Sequence, residues 1–177
     1  DVPIRHVFLQ APNKAVTINQ GMVMPAWYDI VGNSLTDRED HEGILSSEKI
    51  IIDAIKQQEK QGINNSKVFL AGFSQGAAMA LHCGINSAHY LAGVIALSGY
   101  LPLAATLTPN QRKTIPVFLA SGANDEIVLP LWATETQEKL IESGYKRVSL
   151  KLYPMMHEIC AEELKDLKQW ILNFTRT

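Results

Sequence analysis

The chain has 177 residues, of which 46% are hydrophobic and 19% are charged, so it can bury a substantial core without disulfides or metal ions. Its formal net charge of -2 combines 16 basic with 18 acidic residues that are scattered along the sequence. This balance argues against a protein that binds nucleic acid and against a basic face for anionic membranes. We expect a single domain over residues 1–177.

The cysteines give no sign of a metal centre or a disulfide framework. Cys83 and Cys160 lie far apart and form no CxxC motif, so we expect two reduced thiols in a cytoplasmic protein and no bound metal. No apolar run reaches the roughly 18 to 20 residues of a membrane span. The first residues lack the basic and apolar regions of a signal peptide. Because the sequence does not begin with Met, we expect it to start within a longer protein.

Short β-branched runs alternate with longer segments of helical periodicity, which is typical of a parallel α/β protein. The first strand is predicted at 4–10, and an irregular stretch rich in turn residues and acids follows it to residue 43. A helix is predicted over 44–60, and Gly62 ends it. The remaining elements are strands at 67–71, 91–97, 115–121 and 147–153, a polar loop ending at Thr114, and helices from Ser74 to about 87, over about 130–143 and over 158–174. The prediction is therefore a sheet of five strands.

One serine in AGFSQGAAMA (71–80) lies between two glycines where a predicted strand meets a predicted helix. A nucleophilic serine must project from the sheet, and the sharp turn that achieves this crowds the backbone two residues to either side. Small residues are needed there, and Gly72 and Gly76 occupy those positions. The following helix directs unpaired N–H groups toward its start, where Gln75 would supply one to an oxyanion. We predict that Ser74 is a nucleophile.

A serine nucleophile requires a histidine base that is itself oriented by an acid. His82 lies eight residues along the same predicted helix as Ser74, about 12 Å away along the axis, and cannot reach it. Three other histidines fall in a strand, an acidic loop and a helix end, where surface roles are expected: His6, His41 and His89. His157 directly follows the last predicted strand and emerges at the same sheet edge as Ser74. We predict His157 as the base, with a surface or capping histidine as the alternative.

The acid is expected to leave the sheet one strand before the histidine, and GANDEIV (122–128) occupies that place. Asp125 is preferred to Glu126 because a short side chain in a turn-forming loop is more easily fixed against an imidazole. Glu126 stays open, as does a capping or solvated role for Asp125. Because Ser74, Asp125 and His157 all follow strand ends, they converge where open α/β sheets bind ligands.

The chain resembles the phospholipase/carboxylesterase group of the α/β-hydrolases, which includes carboxylesterases, lysophospholipases and acyl-protein thioesterases. The resemblance covers nearly the whole length. The stretches that carry it are QAPNKAVTINQGMVMPAWYDI (10–30), GFSQGAAMAL (72–81), LAGVIALSGYLP (91–102), GANDEIV (122–128) and YPMMHE (153–158). It implies an α/β-hydrolase fold, with a mostly parallel sheet that has helices on both faces.

The resemblance also implies roles for individual residues. Ser74 corresponds to the nucleophile, Asp125 and His157 to its partners, and the backbone N–H of Gln75 to one half of the oxyanion hole. Residues around three further positions become candidates for the walls of an acyl pocket, although two of them, Met24 and Trp27, could equally pack in the core or a lid. These wall candidates are Met24, Trp27 and Val128.

The start of the chain departs from the family pattern. Members of the family begin with additional strands and a loop of HGLG type that supplies the second oxyanion N–H, and nothing of this kind precedes Asp1. We therefore expect an N-terminally incomplete domain, and the loss of one oxyanion donor costs on the order of a hundredfold in rate. The apolar edge beside 4–10 would be unpaired, so we expect a missing segment or a second subunit, as in a homodimer, to cover it.

These observations predict a serine hydrolase that cleaves carboxylic esters or thioesters through an acyl-enzyme and needs no cofactor. Its expected substrates are short-chain carboxylesters, lysophospholipids and acylated thiols, and transient contact with a membrane surface is a further expectation. One alternative is a non-catalytic binding module that keeps the scaffold but lacks a complete oxyanion hole. Another is a dienelactone-type hydrolase or a peptidase-like α/β protein, which shares the order of the triad.

Overall fold

Two sheets and four long helices make up the computed structural model, which describes residues 3–32, 38–107 and 113–175. The strands are β1 (Asn13–Val16), β2 (Met22–Pro25), β3 (Phe69–Phe73), β4 (Gly93–Leu97), β5 (Val117–Gly122) and β6 (Val148–Tyr153). The helices are α1 (His41–Lys60), α2 (Gln75–Asn86), α3 (Pro130–Glu142) and α4 (Ala161–Thr175). Within these ranges, none of the helices is both long and apolar enough to cross a membrane.

The main sheet has the strand order β3-β4-β5-β6, and each neighbouring pair is parallel. Helix α2 connects β3 to β4 and α3 connects β5 to β6, and the described part of the connection from β4 to β5 contains a short 3-10 helix, Ala104–Thr106. Such crossovers are what parallel pairing requires. The predicted α/β-hydrolase class is confirmed. Because all four strands run in the same direction, the loops that follow β3, β5 and β6 emerge at one edge of the sheet, the edge formed by the carboxyl ends of the strands.

The two faces of the sheet are covered by different helices. Along β4, Val94 and Ala96 pack with Leu81 of α2, whereas Ile95 and Leu97 belong to the cluster that contains Trp170 of α4. Successive side chains of a strand point to opposite faces, so this alternation places α2 and α4 on opposite sides. The predicted arrangement with helices on both faces is confirmed.

Helix α1 packs on α2. Ile51 and Ile55 of α1 share a buried cluster with Met79 of α2. The helix begins three residues earlier than predicted because Asp40 caps its first turn, accepting a 2.9 Å hydrogen bond from the N–H of Gly43. This packing anchors the helix that carries the nucleophile turn.

The prediction of a strand at 4–10 is wrong. A strand needs a hydrogen-bonded neighbour, and the described part of the chain offers none here, since β3 at the sheet edge pairs only with β4. The side chains of Val7 and Phe8 are instead 51% and 91% exposed. The main sheet of the described residues therefore has four strands, not five, and 4–10 is an exposed apolar segment.

The stretch predicted to be irregular up to residue 43 contains a β-hairpin. Strands β1 and β2 pair antiparallel with Val16 opposite Met22. The chain reverses through Gln20 and Gly21, whose φ angles are 58° and 76°. Residues 33–37 of this stretch, and residues 108–112 of the predicted polar loop, lie outside the described residues.

Candidate active site

Ser74 occupies the turn between β3 and α2 and has an unusual backbone conformation. Its φ and ψ are 55° and -123°, a combination that non-glycine residues rarely adopt. The N–H of Ser74 donates to the carbonyl of Leu97 at the end of β4, at 2.9 Å. This bond fixes the turn to the sheet, while the side chain projects from the edge.

The glycines on either side of Ser74 differ in how closely they are packed. A Cβ on Gly72 would lie 2.1 Å from the carbonyl oxygen of Gly76, so no larger residue fits without moving the backbone. At Gly76 the nearest atom would be Nε1 of Trp27, at 3.9 Å, which is an ordinary contact. The expected crowding therefore holds at Gly72 and is wrong at Gly76.

The structure brings the three predicted triad residues into hydrogen-bond contact. Nε2 of His157 lies 2.9 Å from Oγ of Ser74, and Nδ1 of His157 lies 2.8 Å from Oδ2 of Asp125. Because an ionised carboxylate only accepts, Nδ1 carries the proton, and Nε2 is left to accept the hydroxyl proton of Ser74. This arrangement can increase the nucleophilicity of a serine.

Asp125 is held by its own loop as well as by the imidazole. It is 2% exposed, and its Oδ1 accepts hydrogen bonds of 2.9 Å from the N–H groups of Ile127 and Val128. A buried carboxylate needs such donors to offset its lost hydration. Glu126 points to solvent, so of the two acids considered from the sequence only Asp125 contacts His157.

The loop after β6 must cross the sheet edge to bring His157 to Ser74, because β6 and β3 are three strand spacings apart, about 14 Å. It passes over the end of β5, where a Cβ on Gly122 would lie 2.2 Å from the carbonyl oxygen of Met156. Backbone bonds join the loops that follow β5 and β6: Ala123 to Tyr153 at 2.7 Å and Asn124 to Met155 at 3.1 Å. The acid and the base therefore belong to one hydrogen-bonded unit.

Phe73 is a contact of the site that the sequence reasoning missed. Its ring lies 4.7 Å from the imidazole of His157, centroid to centroid, with the two planes 39° apart. Aromatic contact of this kind limits rotation of the imidazole. The residue directly before the serine in GFSQG was the available signal, because it lies at the same strand end.

Gln75 is the first residue of α2, so its backbone N–H has no acceptor within the helix and lies beside the serine. Its side chain makes two further bonds. Oε1 accepts from the N–H of Trp27 at 2.7 Å, and Nε2 donates to the carbonyl of Tyr28 at 2.8 Å. Sequence patterns could not reveal these bonds because the partners are 48 and 47 residues away in the chain.

The three candidate pocket residues occupy different environments. Met24 lies on β2, where its sulfur is 3.2 Å from Nδ2 of Asn19, and no contact described for it reaches Ser74. Val128 is 1% exposed in a core cluster, which leaves it little surface for a ligand. Trp27 packs against the same cluster but keeps part of its surface open, close to Gly76. Trp27 is therefore the candidate that lies next to the nucleophile turn.

The remaining histidines make contacts away from the triad. His82 is 4% exposed and lies 3.5 Å from Glu48, and burial lowers its pKa although Glu48 acts in the opposite direction. His89 contacts Asn65 at 3.2 Å. Across the ranges that the structure describes, no group of His, Cys, Asp and Glu side chains could hold a metal ion.

Known proteins share this fold and sequence pattern. The family model described as phospholipase/carboxylesterase matches residues 2–174. Acyl-protein thioesterase 1 of Neurospora crassa is 37% identical over 179 residues, which cover 95% of this chain and 73% of that protein. The crystal structure of Arabidopsis thaliana SOBER1 has a TM-score of 0.89 at 29% identity, covering 96% of this chain and 83% of that one.

A maize protein extends the comparison. The crystal structure of Zea mays acyl-protein thioesterase 2 has a TM-score of 0.83 at 28% identity, and the alignment covers 93% of this chain and 79% of that one. The family match spans nearly all of the residues that form the sheet, its helices and the Ser-His-Asp contacts. The chain belongs to the phospholipase/carboxylesterase family of hydrolases.

Proposed function

We propose that the chain is a serine hydrolase that cleaves carboxylic esters and thioesters through an acyl-enzyme on Ser74. The observation that carries the proposal is the continuous set of contacts from Asp125 through His157 to Ser74, at 2.8 and 2.9 Å. Membership of the phospholipase/carboxylesterase family supports the ester class, and similarity to acyl-protein thioesterases supports the thioester class.

In the first half of the reaction, Nε2 of His157 takes the hydroxyl proton as Oγ of Ser74 attacks the carbonyl carbon of the substrate. The carbonyl oxygen becomes an oxyanion, and the backbone N–H of Gln75 at the start of α2 donates to it. Asp125 accepts from Nδ1 and stabilises the imidazolium that forms. His157 then gives the proton to the departing alcohol or thiol, which leaves an acyl group on Ser74.

In the second half, a water molecule replaces the leaving group. His157 takes a proton from this water, which attacks the acyl carbonyl, and a second oxyanion forms beside Gln75. When it collapses, the bond to Oγ breaks, and the proton on His157 returns to Ser74. The products are a carboxylic acid and the regenerated serine, so the cycle requires no cofactor.

The substrates we propose are short-chain carboxylesters, lysophospholipids and acylated thiols. Of the three wall candidates, Trp27 is proposed to border the acyl group, because it keeps open surface next to the nucleophile turn, whereas Val128 is buried and the described contact of Met24 is with Asn19. We further propose that the protein makes transient contact with a membrane surface, forms a homodimer and is located in the cytoplasm. The location is supported by Cys83 and Cys160, which are both free thiols.

The proposal is tested by labelling the purified protein with a fluorophosphonate reagent and locating the label by peptide mass mapping. We expect the label on Ser74, together with turnover of p-nitrophenyl butyrate and of an acyl thioester whose released thiol is measured with a thiol-reactive dye. Ser74→Ala should abolish labelling and turnover, because it removes the attacking oxygen while the backbone of the turn is kept.

A matched pair of acidic variants tests the assignment of the acid. Asp125→Asn should lower kcat by about 10³- to 10⁴-fold, because an amide at this position no longer holds the productive imidazole tautomer. Glu126→Gln, one residue away and exposed, should stay within about twofold, as expected for a surface substitution. A folded protein that neither takes the label nor hydrolyses either substrate would favour a non-catalytic scaffold instead.

A further inference from the structure

The side chain of Gln75 joins two parts of the molecule that are distant in sequence. The N–H of Trp27 can only donate, so the carboxamide oxygen must face it. The carbonyl of Tyr28 can only accept, so the carboxamide nitrogen must face that group. Both bonds are short and both partners are main-chain groups. The carboxamide therefore fixes the backbone of the segment formed by residues 27 and 28, and not merely a side chain.

The segment is held from its other side by α1. The hydroxyl of Ser47, which is fully buried, donates to the carbonyl of Trp27. Both main-chain polar groups of Trp27 are thus engaged, one by α2 and one by α1. Asp29 continues the attachment through its N–H, which donates to Oδ2 of Asp40 at 2.8 Å. The main chain of 27–29 is consequently a fixed part of the protein frame.

The indole of Trp27 stands beside the first turn of α2. Its Nε1 lies 3.9 Å from the position that a Cβ of Gly76 would occupy, two residues after the nucleophile. The ring is partly open to solvent and otherwise packs on the cluster that contains Tyr28 and Met79. An acyl group attached to Ser74 that extends along this turn would meet the face or edge of the ring.

We propose that the side chain of Gln75 is a positioning residue that holds the Trp27 ring as a wall for longer acyl chains, and so sets the chain-length preference of the enzyme. This inference rests on the proposed function. It gives Gln75 two separable tasks: the backbone N–H serves the oxyanion of every substrate, whereas the carboxamide serves only substrates whose acyl group reaches the ring. Substitution of the side chain removes the second task alone.

The test compares kcat/KM for p-nitrophenyl acetate, butyrate and octanoate. We expect Gln75→Ala to lower the value for octanoate about tenfold more than the value for acetate, because a small displacement of a positioning group is most costly where contact is made. Gln75→Glu keeps the shape but cannot donate to Tyr28, so it should show the same dependence on chain length. Gln57→Ala, an exposed glutamine of α1, is the matched control.

A double-mutant cycle identifies the residue through which Gln75 acts. Trp27→Ala should itself lower octanoate turnover, and adding Gln75→Ala to it should cause little further loss, since the ring to be positioned is gone. Equal losses for acetate and octanoate, or independent effects of the two substitutions, would overturn the proposal. Melting curves of each variant by circular dichroism establish that it is folded.

A second readout does not depend on catalysis. In a protein whose only tryptophan is Trp27, made with Trp132→Phe and Trp170→Phe, adding Gln75→Ala should increase the quenching of fluorescence by acrylamide. Unchanged quenching would show that the carboxamide does not hold the segment, and the proposal would fall. If the wild-type protein neither hydrolyses any ester nor takes the fluorophosphonate label, the proposed function fails. The quenching experiment then still shows whether the Gln75 side chain holds Trp27 in place.

Discussion

Ser74 combines a reactive position with a strained one. Its φ of 55° lies where a Cβ is unfavourable, at a cost of order 1–3 kcal/mol. The turn is nevertheless held, since the N–H of Ser74 donates to Leu97 at 2.9 Å and its carbonyl accepts from Ala77 at 2.9 Å and Ala78 at 3.1 Å. The surrounding structure therefore imposes a conformation that lifts Oγ out of the sheet toward His157.

Two inactive variants measure this strain. Ser74→Ala keeps a Cβ at the unfavourable φ, whereas Ser74→Gly removes it. We expect Ser74→Gly to have the higher free energy of unfolding, by about 1 kcal/mol, because glycine adopts positive φ without penalty. The two free energies of unfolding are obtained from urea denaturation curves and are compared with the same slope of free energy against urea concentration for both variants. The same substitutions at Ser46, a residue of α1, should rank in the reverse order, since glycine weakens a helix interior.

The turn from β3 to α2 is packed asymmetrically. The strand end at Gly72 is in contact with the backbone of the first helical turn, whereas Gly76 has an open side next to Trp27. The helix can lie close to the strand because the strand residue has no side chain. This close approach fixes the start of α2, where Gln75 supplies the proposed oxyanion donor, against the end of β3.

Alanine at the two glycines should therefore have opposite effects. Gly72→Ala forces a Cβ against main-chain atoms, and we expect it to lower the free energy of unfolding by about 2 kcal/mol or more and to abolish ester hydrolysis. Gly76→Ala should be neutral or stabilising by up to about 1 kcal/mol, since alanine is the better helix former. Thermal unfolding and p-nitrophenyl acetate turnover measure both. Equal destabilisation by the two substitutions would contradict the asymmetry.

The α4 side of the sheet contains a buried carboxyl group without a hydrogen-bond partner among the described residues. Glu163 is 0% exposed, and neither of its carboxylate oxygens has a hydrogen-bond partner among the described residues. Burial raises the pKa of this group. A raised pKa in the folded state favours the neutral form, so the associated stability is present below the unfolded pKa of about 4.3 and is lost as the pH rises.

Replacing this carboxyl by an apolar side chain of similar size should stabilise the protein at neutral pH. We expect Glu163→Met to raise the free energy of unfolding at pH 7 by about 1–3 kcal/mol, because it removes the cost of a buried polar group without a partner. The gain should shrink toward pH 4, where the wild-type carboxyl is protonated. Glu162→Met, on the exposed neighbour, serves as the control, and a gain that does not depend on pH would rule out ionisation as the cause.

The sequence was most informative where local pattern and burial agree. Strands β3 to β6 were each predicted within about two residues. The central strands β4 and β5 are short apolar runs that are buried along their whole length, whereas β3 and β6 at the two sides of the sheet are only partly buried. The run at 4–10 is also rich in apolar residues but has no neighbour to pair with among the described residues, and pairing is not a local property. Hairpin β1–β2 was missed because its four-residue strands do not alternate against a core.

The candidate site shows the same division between local features, which the sequence reveals, and contacts between distant segments, which it does not. Ser74, Asp125 and His157 could be proposed from the sequence because each directly follows a strand, and parallel strands deliver their following loops to one edge. The contacts between distant loops could not be proposed. The carboxamide of Gln75, the ring of Phe73 on His157 and the passage over Gly122 depend on how the connections fold back.

Gly122 has a consequence for recognising active members among divergent sequences. Gly122 takes no part in the reaction. A side chain at this position would nevertheless displace the backbone at Met155 and Met156, and the displacement would move the adjacent His157 away from Ser74. A sequence could thus keep all three reacting residues and still be unable to transfer a proton. A reliable signature for this chemistry therefore includes, besides the three reacting residues and Gly72, a glycine three residues before the acid.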